Sequence, residues 1–194
     1  MAGVDEVGRG ALFGPVVAAA VILPASAHAE LIAAGVTDSK KLLPHRRELL
    51  YDQIRAQALT CRVGLASVAE IDRLNILQAS LLAMRRAIAR LQPPPDHCLV
   101  DGNQRIPRLT IPQETLVRGD SLSLAIAAAS IIAKVWRDRL ITRLAVKYPQ
   151  YDLATNKGYG TPKHRQALQE FGPTRYHRRS FKACREAEDL QLNL

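Results

Sequence analysis

The chain has 194 residues, 47% of them hydrophobic, with both charge signs present; it is long enough to bury a core, and this excludes a disordered chain. A formal charge of +9 and a pI near 9.9 point to a polyanionic partner. The excess is C-terminal, where Lys157, Lys163, Arg165, Arg175, Arg178, Arg179, Lys182 and Arg185 stand against only Asp152 and Glu170, interleaved with His164, Tyr176, His177 and Phe181, a mixture suited to a nucleic-acid backbone rather than a lipid surface. A solvated basic helix is the plain alternative.

In chain order, Val4 to Val7 and Val16 to Leu23 read as strands joined by a Gly-rich turn, the second so apolar that both its faces should be covered. Ala27 to Ala34 reads as a short helix and Thr37-Asp38-Ser39-Lys40-Lys41 as a loop. Pro44 opens a helix to about Ala58, with Leu49, Leu50 and Ile54 on one face. Thr60 to Val68 is a third strand. Asn75 caps a helix that Pro93-Pro94-Pro95 ends, and His97 to Asp101 is a buried strand. After a short strand near Thr115 to Val117, Asp120 is expected to cap a helix from Ser121 to about Tyr148, in which Ala127-Ala128-Ala129-Ser130 offers a narrow packing surface. The order predicts an α/β layer structure with a mixed sheet in one domain, residues 1–194, with 157–194 as a basic helical C-terminal extension.

The three cysteines, Cys61, Cys98 and Cys184, are scattered and form no Cys-x-x-Cys, which reads as reduced thiols in a cytoplasmic protein. The apolar run Ala11 to Leu23 is broken by Gly14-Pro15 and too short to span a bilayer, so no membrane partner is expected.

Chemistry concentrates where elements meet loops. Asp5-Glu6-Val7-Gly8-Arg9-Gly10 puts two carboxylates before a glycine-bracketed arginine; Asp101 closes a strand before Gly102; Asp120 follows Gly119. Carboxylate oxygens suit hard divalent cations, and Gly8-Arg9-Gly10 lets backbone approach a phosphate or sugar. A solvated loop for Asp5-Glu6, a turn for Asp101 and a helix cap for Asp120 are the structural alternatives. Strand alternation sends Asp5 and Glu6 to opposite faces, so the strand is expected to end or bulge there. A nucleotide triphosphatase fits less well, because Gly3 to Gly10 lacks the Lys-Ser/Thr of a phosphate-binding loop; a non-catalytic nucleic-acid-binding module leaves the carboxylates unexplained.

These segments together resemble ribonuclease HII, the type 2 ribonuclease H family. The resemblance rests on Gly3-Val4-Asp5-Glu6-Val7-Gly8-Arg9-Gly10, Asp38-Ser39-Lys40-Lys41-Leu42, Leu99-Val100-Asp101-Gly102, Gly119-Asp120 through Val135, Asn156-Lys157-Gly158-Tyr159-Gly160-Thr161 and His177-Arg178-Arg179-Ser180-Phe181, six blocks in the family's order. The one departure is Phe181-Lys182-Ala183-Cys184, where the family more often continues to a proline and valine. The resemblance implies an RNase H-like fold and endonucleolytic hydrolysis of RNA in RNA–DNA hybrids and at ribonucleotides embedded in duplex DNA, leaving 3′-hydroxyl and 5′-phosphate ends. It implies Asp5, Glu6, Asp101 and Asp120 as catalytic ligands of Mg2+ or Mn2+, two ions with substrate bound, with Asp38 outside the cluster. Gly8, Arg9, Gly10 and Tyr159 are expected at the 2′-hydroxyl, and Lys40, Lys41, Asn75, Lys163, Arg165, Arg178 and Arg179 at phosphates. A monomer is expected. The terminal Gln191-Leu192-Asn193-Leu194 resembles peptides that dock on sliding clamps, with a frayed helix end as the alternative.

Overall fold

A computed structural model describes residues 1–192, with side chains through 190. Strands β1 (Ala2–Val7), β2 (Val16–Ile22) and β3 (Thr60–Ala66) form an antiparallel meander; β4 (Cys98–Asp101) and β5 (Gln113–Leu116) add in parallel beyond β1, giving the order β3-β2-β1-β4-β5. Helices α1 (His28–Ala33), α2 (Pro44–Gln57), α3 (Val68–Leu74), α4 (Ile76–Ile88), α5 (Leu124–Ala145), α6 (Leu153–Asn156), α7 (Pro162–Phe171) and α8 (Lys182–Leu192) surround it. This is the mixed central sheet flanked by helices that the RNase H-like expectation required.

Strand β2 shows why the layers form. All seven of its residues are buried; Val16, Ala18, Ala20 and Ile22 pack into the cluster that contains α4, while Ala19 and Val21 pack against α5. Helix α5 comes so close to β1 that a Cβ on Gly3 would stand 2.1 Å from the Ala125 carbonyl carbon, which only glycine permits. Ile126, Ile131 and Ile132 fill the remaining space, and each such burial contributes about 1.5–3 kcal/mol. A third cluster joins Leu12 and Phe13 of the β1–β2 loop to Ile141 on α5, Leu168 on α7 and Cys184 and Ala187 on α8. The basic C-terminal segment is thus packed against the loop that follows Asp5 and Glu6.

Several boundaries differ from the sequence reading. Strand β1 neither ends nor bulges at Asp5-Glu6, since its register with β2 is continuous from Gly3↔Val21 to Val7↔Val17. Helix α5 starts at Leu124 with Ser123 as its cap, because Asp120 lies in a separate single turn, Gly119–Ser121. The third strand stops at Ala66, and Val68 belongs to α3, whose Ser67 and Glu70 form a reciprocal capping box. On α2, Leu49 is exposed while Leu50, Tyr51 and Ile54 carry the packing. Gln191-Leu192-Asn193-Leu194 lies outside the described residues, apart from the helical backbone of its first two.

Candidate active site

The site grows from two parallel neighbours. β1 pairs with β4 through Val4↔Val100, so the next residues on the two strands are neighbours: Asp5, still within β1, and Asp101, the last residue of β4. Asp5 is buried on the α5 side, where Ser130 hydrogen-bonds it and in turn meets Ser39 at 2.7 Å between hydroxyls. Glu6 turns to the other face and accepts a charged hydrogen bond from Arg9 at 3.2 Å. The Asp101 carboxylate bridges the two: it accepts the Gly119 N–H at 2.7 Å, and it lines both the hollow containing Glu6 and Arg9 and the adjoining one containing Asp38, Lys40, Lys41, Arg118 and Asp120. Alternation therefore did not need breaking; a carboxylate from the neighbouring strand joins the two faces.

This arrangement is electrostatically loaded. Burial, then the charges of Glu6 and Asp101, push the Asp5 carboxyl well above the ordinary range. Burial likewise raises Glu6, against the pull of Arg9, and raises Asp120, which Asp38 and Asp101 push further. Among the described residues no three carboxylate, imidazole or thiol groups gather into a ready-made ion cage. The donor set nevertheless fits hard cations: it is all oxygen and mutually repulsive, and among the described residues only Glu6 has a cationic partner at hydrogen-bond distance. Asp38, read as turn support, accepts the Lys40 N–H at 2.9 Å and also borders Asp120.

Beside the acids stands the Gly8-Arg9-Gly10 turn. Gly8 has φ +88°, and a Cβ there would lie 2.2 Å from the Arg137 Nε, so glycine is required on both counts. Tyr159 is brought next to this turn by the Ala11↔Tyr159 bridge and by Leu12 N–H donating to the Gly158 carbonyl at 2.8 Å. Its half-buried ring has Lys134 and Arg137 within 5.7 and 5.6 Å of the centroid.

Not every expected contact residue reaches this surface. Lys40 and Lys41 are exposed in the Asp120 hollow, and Asn75 caps α4, whose Leu77 and Ser80 line the Glu6 hollow. Lys163, Arg165 and Arg179 are exposed but engaged, with Asp152 at 3.4 Å, the Gly160 carbonyl at 2.9 Å and Glu188 at 3.0 Å. Arg178 is a correction. It is fully buried, donating to the Gly14 carbonyl at 3.0 Å and the Arg9 carbonyl at 2.8 Å, because the folded-back β1–β2 loop leaves carbonyls that need a donor. It cannot touch phosphate.

The sequence reading missed Arg118, a left-handed residue (φ 58°) lining the Asp120 hollow, and assigned Ser130 to packing alone. It also passed over Arg137, fully buried and donating to the carbonyls of Phe13, Pro15 and Lys157. The signal for Arg137 was present: with Ala133 and Ile141 it falls on the buried stripe of α5, where a charge needs a reason.

Known proteins agree with this geometry. The ribonuclease HII family model matches residues 2–184. A ribonuclease HII of Acaryochloris marina is 68% identical over 184 residues, covering 95% of this chain and 93% of the relative. Among solved structures, the ribonuclease H2 of Pyrococcus horikoshii superposes with a TM-score of 0.83 at 29% identity, covering 97% of this chain and 96% of that one. The ribonuclease HII of Archaeoglobus fulgidus, solved in complex with PCNA, gives 0.77 at 31% identity and covers 92% of each chain. With Asp5 of β1 beside Asp101 at the end of β4 and this likeness along nearly its whole length, the chain belongs to the ribonuclease HII family and is a ribonuclease H endonuclease.

Proposed function

We propose that this endonuclease is divalent-metal-dependent, that it hydrolyses the RNA strand of RNA–DNA hybrids, and that it nicks duplex DNA at embedded ribonucleotides to leave 3′-hydroxyl and 5′-phosphate ends. The observation that carries this is the juxtaposition of buried Asp5 and the half-buried, like-charged Asp101 with the Gly8-Arg9-Gly10 turn and Tyr159. Asp5, Glu6, Asp101 and Asp120 would hold Mg2+ or Mn2+, which when bound supplies Lewis acidity at the scissile phosphate. Lys40, Lys41 and Arg118 offer charge to phosphates along the Asp120 hollow, which gives affinity without sequence preference. Backbone groups of Gly8, Arg9 and Gly10 meet the 2′-hydroxyl, the group that separates RNA from DNA, and Tyr159 lays its ring against the neighbouring sugar.

The test is a cleavage-site map on duplex DNA containing one ribonucleotide, run with Mg2+ and with Mn2+. Nicking beside the ribonucleotide, dependent on either ion, is expected; cleavage elsewhere, or undiminished cleavage in chelator, overturns the reading. Tyr159→Ala should lower nicking far more than duplex affinity, and Tyr159→Phe less. The same reading takes 1–194 as one catalytic domain with 157–194 as its extension, monomeric, in the cytoplasm where its three free thiols stay reduced. Likeness to a chain solved with PCNA supports a clamp as partner for Gln191-Leu192-Asn193-Leu194; equal clamp affinity of the full chain and one ending at Leu190 would dispose of it.

A further inference from the structure

Arg178 and its neighbour His177 are buried polar residues that touch neither the acids nor, by position, a phosphate. The segment that bears them pairs with the loop following the Gly8-Arg9-Gly10 turn: Phe13↔His177 form a bridge, Arg178 N–H donates to the Leu12 carbonyl at 2.9 Å and Gly14 N–H to the Tyr176 carbonyl at 2.8 Å. On the opposite side of that loop, Leu12 and Phe13 N–H both donate to the Gly158 carbonyl. Loop, Tyr159 segment and His177-Arg178 segment therefore lie side by side.

The side chains continue the link. Thr174 N–H donates to His177 Nδ1 at 3.0 Å, which makes that nitrogen an acceptor and places the His177 proton on Nε2. Nε2 faces His164 Nε2 at 3.0 Å, so His164 accepts there and carries its own proton on Nδ1, which donates to the Tyr159 carbonyl at 2.9 Å. Both imidazoles are buried, and the chain of donors has one consistent direction, from Thr174 through His177 and His164 to Tyr159. The next residue, Arg178, reaches the other way, to the Arg9 and Gly14 carbonyls. A guanidinium with no exposed surface, and with Nη2 lacking a hydrogen-bond partner among the described residues, is costly where an apolar side chain could fill the space.

We propose that His177 and Arg178 are positioning residues for sugar recognition: adjacent in the chain, they fix Tyr159, through His164, and the Gly8-Arg9-Gly10 turn, through the Arg9 carbonyl, at one separation. A 2′-hydroxyl is then met from both sides by groups that cannot drift apart. This rests on the reading of the turn and Tyr159 as the sugar contacts.

The experiment measures kcat and KM for nicking a DNA duplex with one ribonucleotide by the wild type, His177→Phe, Arg178→Met, Arg178→Lys, Tyr159→Ala and the double variant His177→Phe/Tyr159→Ala. His177→Phe keeps the ring between Phe13 and Tyr151, at 4.9 and 4.7 Å, and removes only the nitrogens. Both His177→Phe and Arg178→Met should lower kcat about tenfold or more with KM little changed, since misplacement near 1 Å costs up to about a hundredfold. Arg178→Lys should recover part of the loss, because one ammonium still reaches one carbonyl. The double variant should be no slower than Tyr159→Ala alone, since His177 acts through a ring already absent. Wild-type kcat in either single variant while folded, or losses that multiply in the double variant, overturns the proposal. If Arg178→Met does not fold, Arg178→Lys decides: reduced kcat below its melting temperature supports positioning, and a lower melting temperature with wild-type kcat refutes it. Failure of the wild type to nick at the ribonucleotide would instead bring down the sugar-contact reading and this proposal with it.

Discussion

At the scale of single residues, the candidate site holds like charges where folding alone would favour neutral groups. Asp5 is 5% exposed and faces the charges of Glu6 and Asp101 with hydrogen bonds from Ser130 and the Glu6 N–H as its compensation. Asp5→Asn or Asp101→Asn should abolish hydrolysis while leaving duplex binding largely intact, because an amide of the same shape is a poor cation ligand. In metal-free buffer Asp5→Asn should also melt higher than the wild type, since it removes a buried charge with like-charged neighbours. Thermal melts in chelator check this; a lower melting temperature for the variant would mean that Asp5 is already compensated. Asp101 and Asp120 were legible because each stands beside a glycine, and Asp5 because it forms an acid pair with Glu6 just before the Gly8-Arg9-Gly10 turn. The burial of Arg178 was not, because an arginine in a basic run reads as surface until its neighbours are known.

At the scale of elements, helix α3 shows how a short segment can matter through what it holds. Its Asp72 accepts hydrogen bonds from the N–H groups of Arg179 and Ser180 and from the Ser180 hydroxyl at 3.2, 3.0 and 2.6 Å, tying α3 to the start of α8. The helix itself depends on Ser67 and Glu70, which cap each other, and Glu70 is further held by a two-pronged contact with Arg86 on α4. Ser67→Ala should therefore cost about 1 kcal/mol, measurable by chemical denaturation. The sequence reading ran β3 on to Val68 because α3 has only seven residues, too few for helical periodicity to show; the Ser67-x-x-Glu70 pattern was the available signal. Asp120 was misplaced for a related reason: an acid before an apolar run looks like a cap, while Ser123, three residues on, does the capping.

At the scale of the whole molecule, two bulk measurements distinguish its buried and exposed charges. Burial, reinforced by His164, pushes His177 down to about 3, and burial lowers His164 as well. The folded protein keeps these rings neutral while the unfolded chain takes up protons near pH 6.5. Stability from the pair is thus complete above about pH 6.5 and falls as the pH drops towards 3, by up to about 1.4 kcal/mol per unit for each site. The melting temperature should be lower at pH 5 than at pH 7, and His177→Phe should flatten that difference; an equal dependence in both proteins would clear the histidines. Salt separates the arginines. Each of Lys163, Arg165 and Arg179 that meets a phosphate should, on loss to Ala, reduce the salt slope of duplex binding by roughly 0.9, whereas Arg178→Met should leave it unchanged. An altered slope for Arg178→Met would put that side chain back at the surface.

By itself the sequence determined the layer architecture and the family and nominated four candidate acids, because these rest on local signals: apolar period, glycine turns, and carboxylates near glycines or element ends. It also pointed to β1 and β2 as neighbours, since only a Gly-rich turn separates them, whereas β3 follows after two helices and its place beside β2 is a tertiary result. Tertiary structure decided the rest. Only the pairing of β1 with β4 sets Asp5 beside Asp101, and only that neighbour lets Glu6, on the opposite face, share a site with Asp120. Only the return of the C-terminal segment onto the β1–β2 loop, more than 160 residues away in sequence, turns a basic run into two classes, exposed cations and a buried donor. Hydrogen-bond partners of buried groups come from wherever the chain folds back, so no local pattern encodes them, and the roles of Arg137, His177 and Arg178 became visible only in three dimensions.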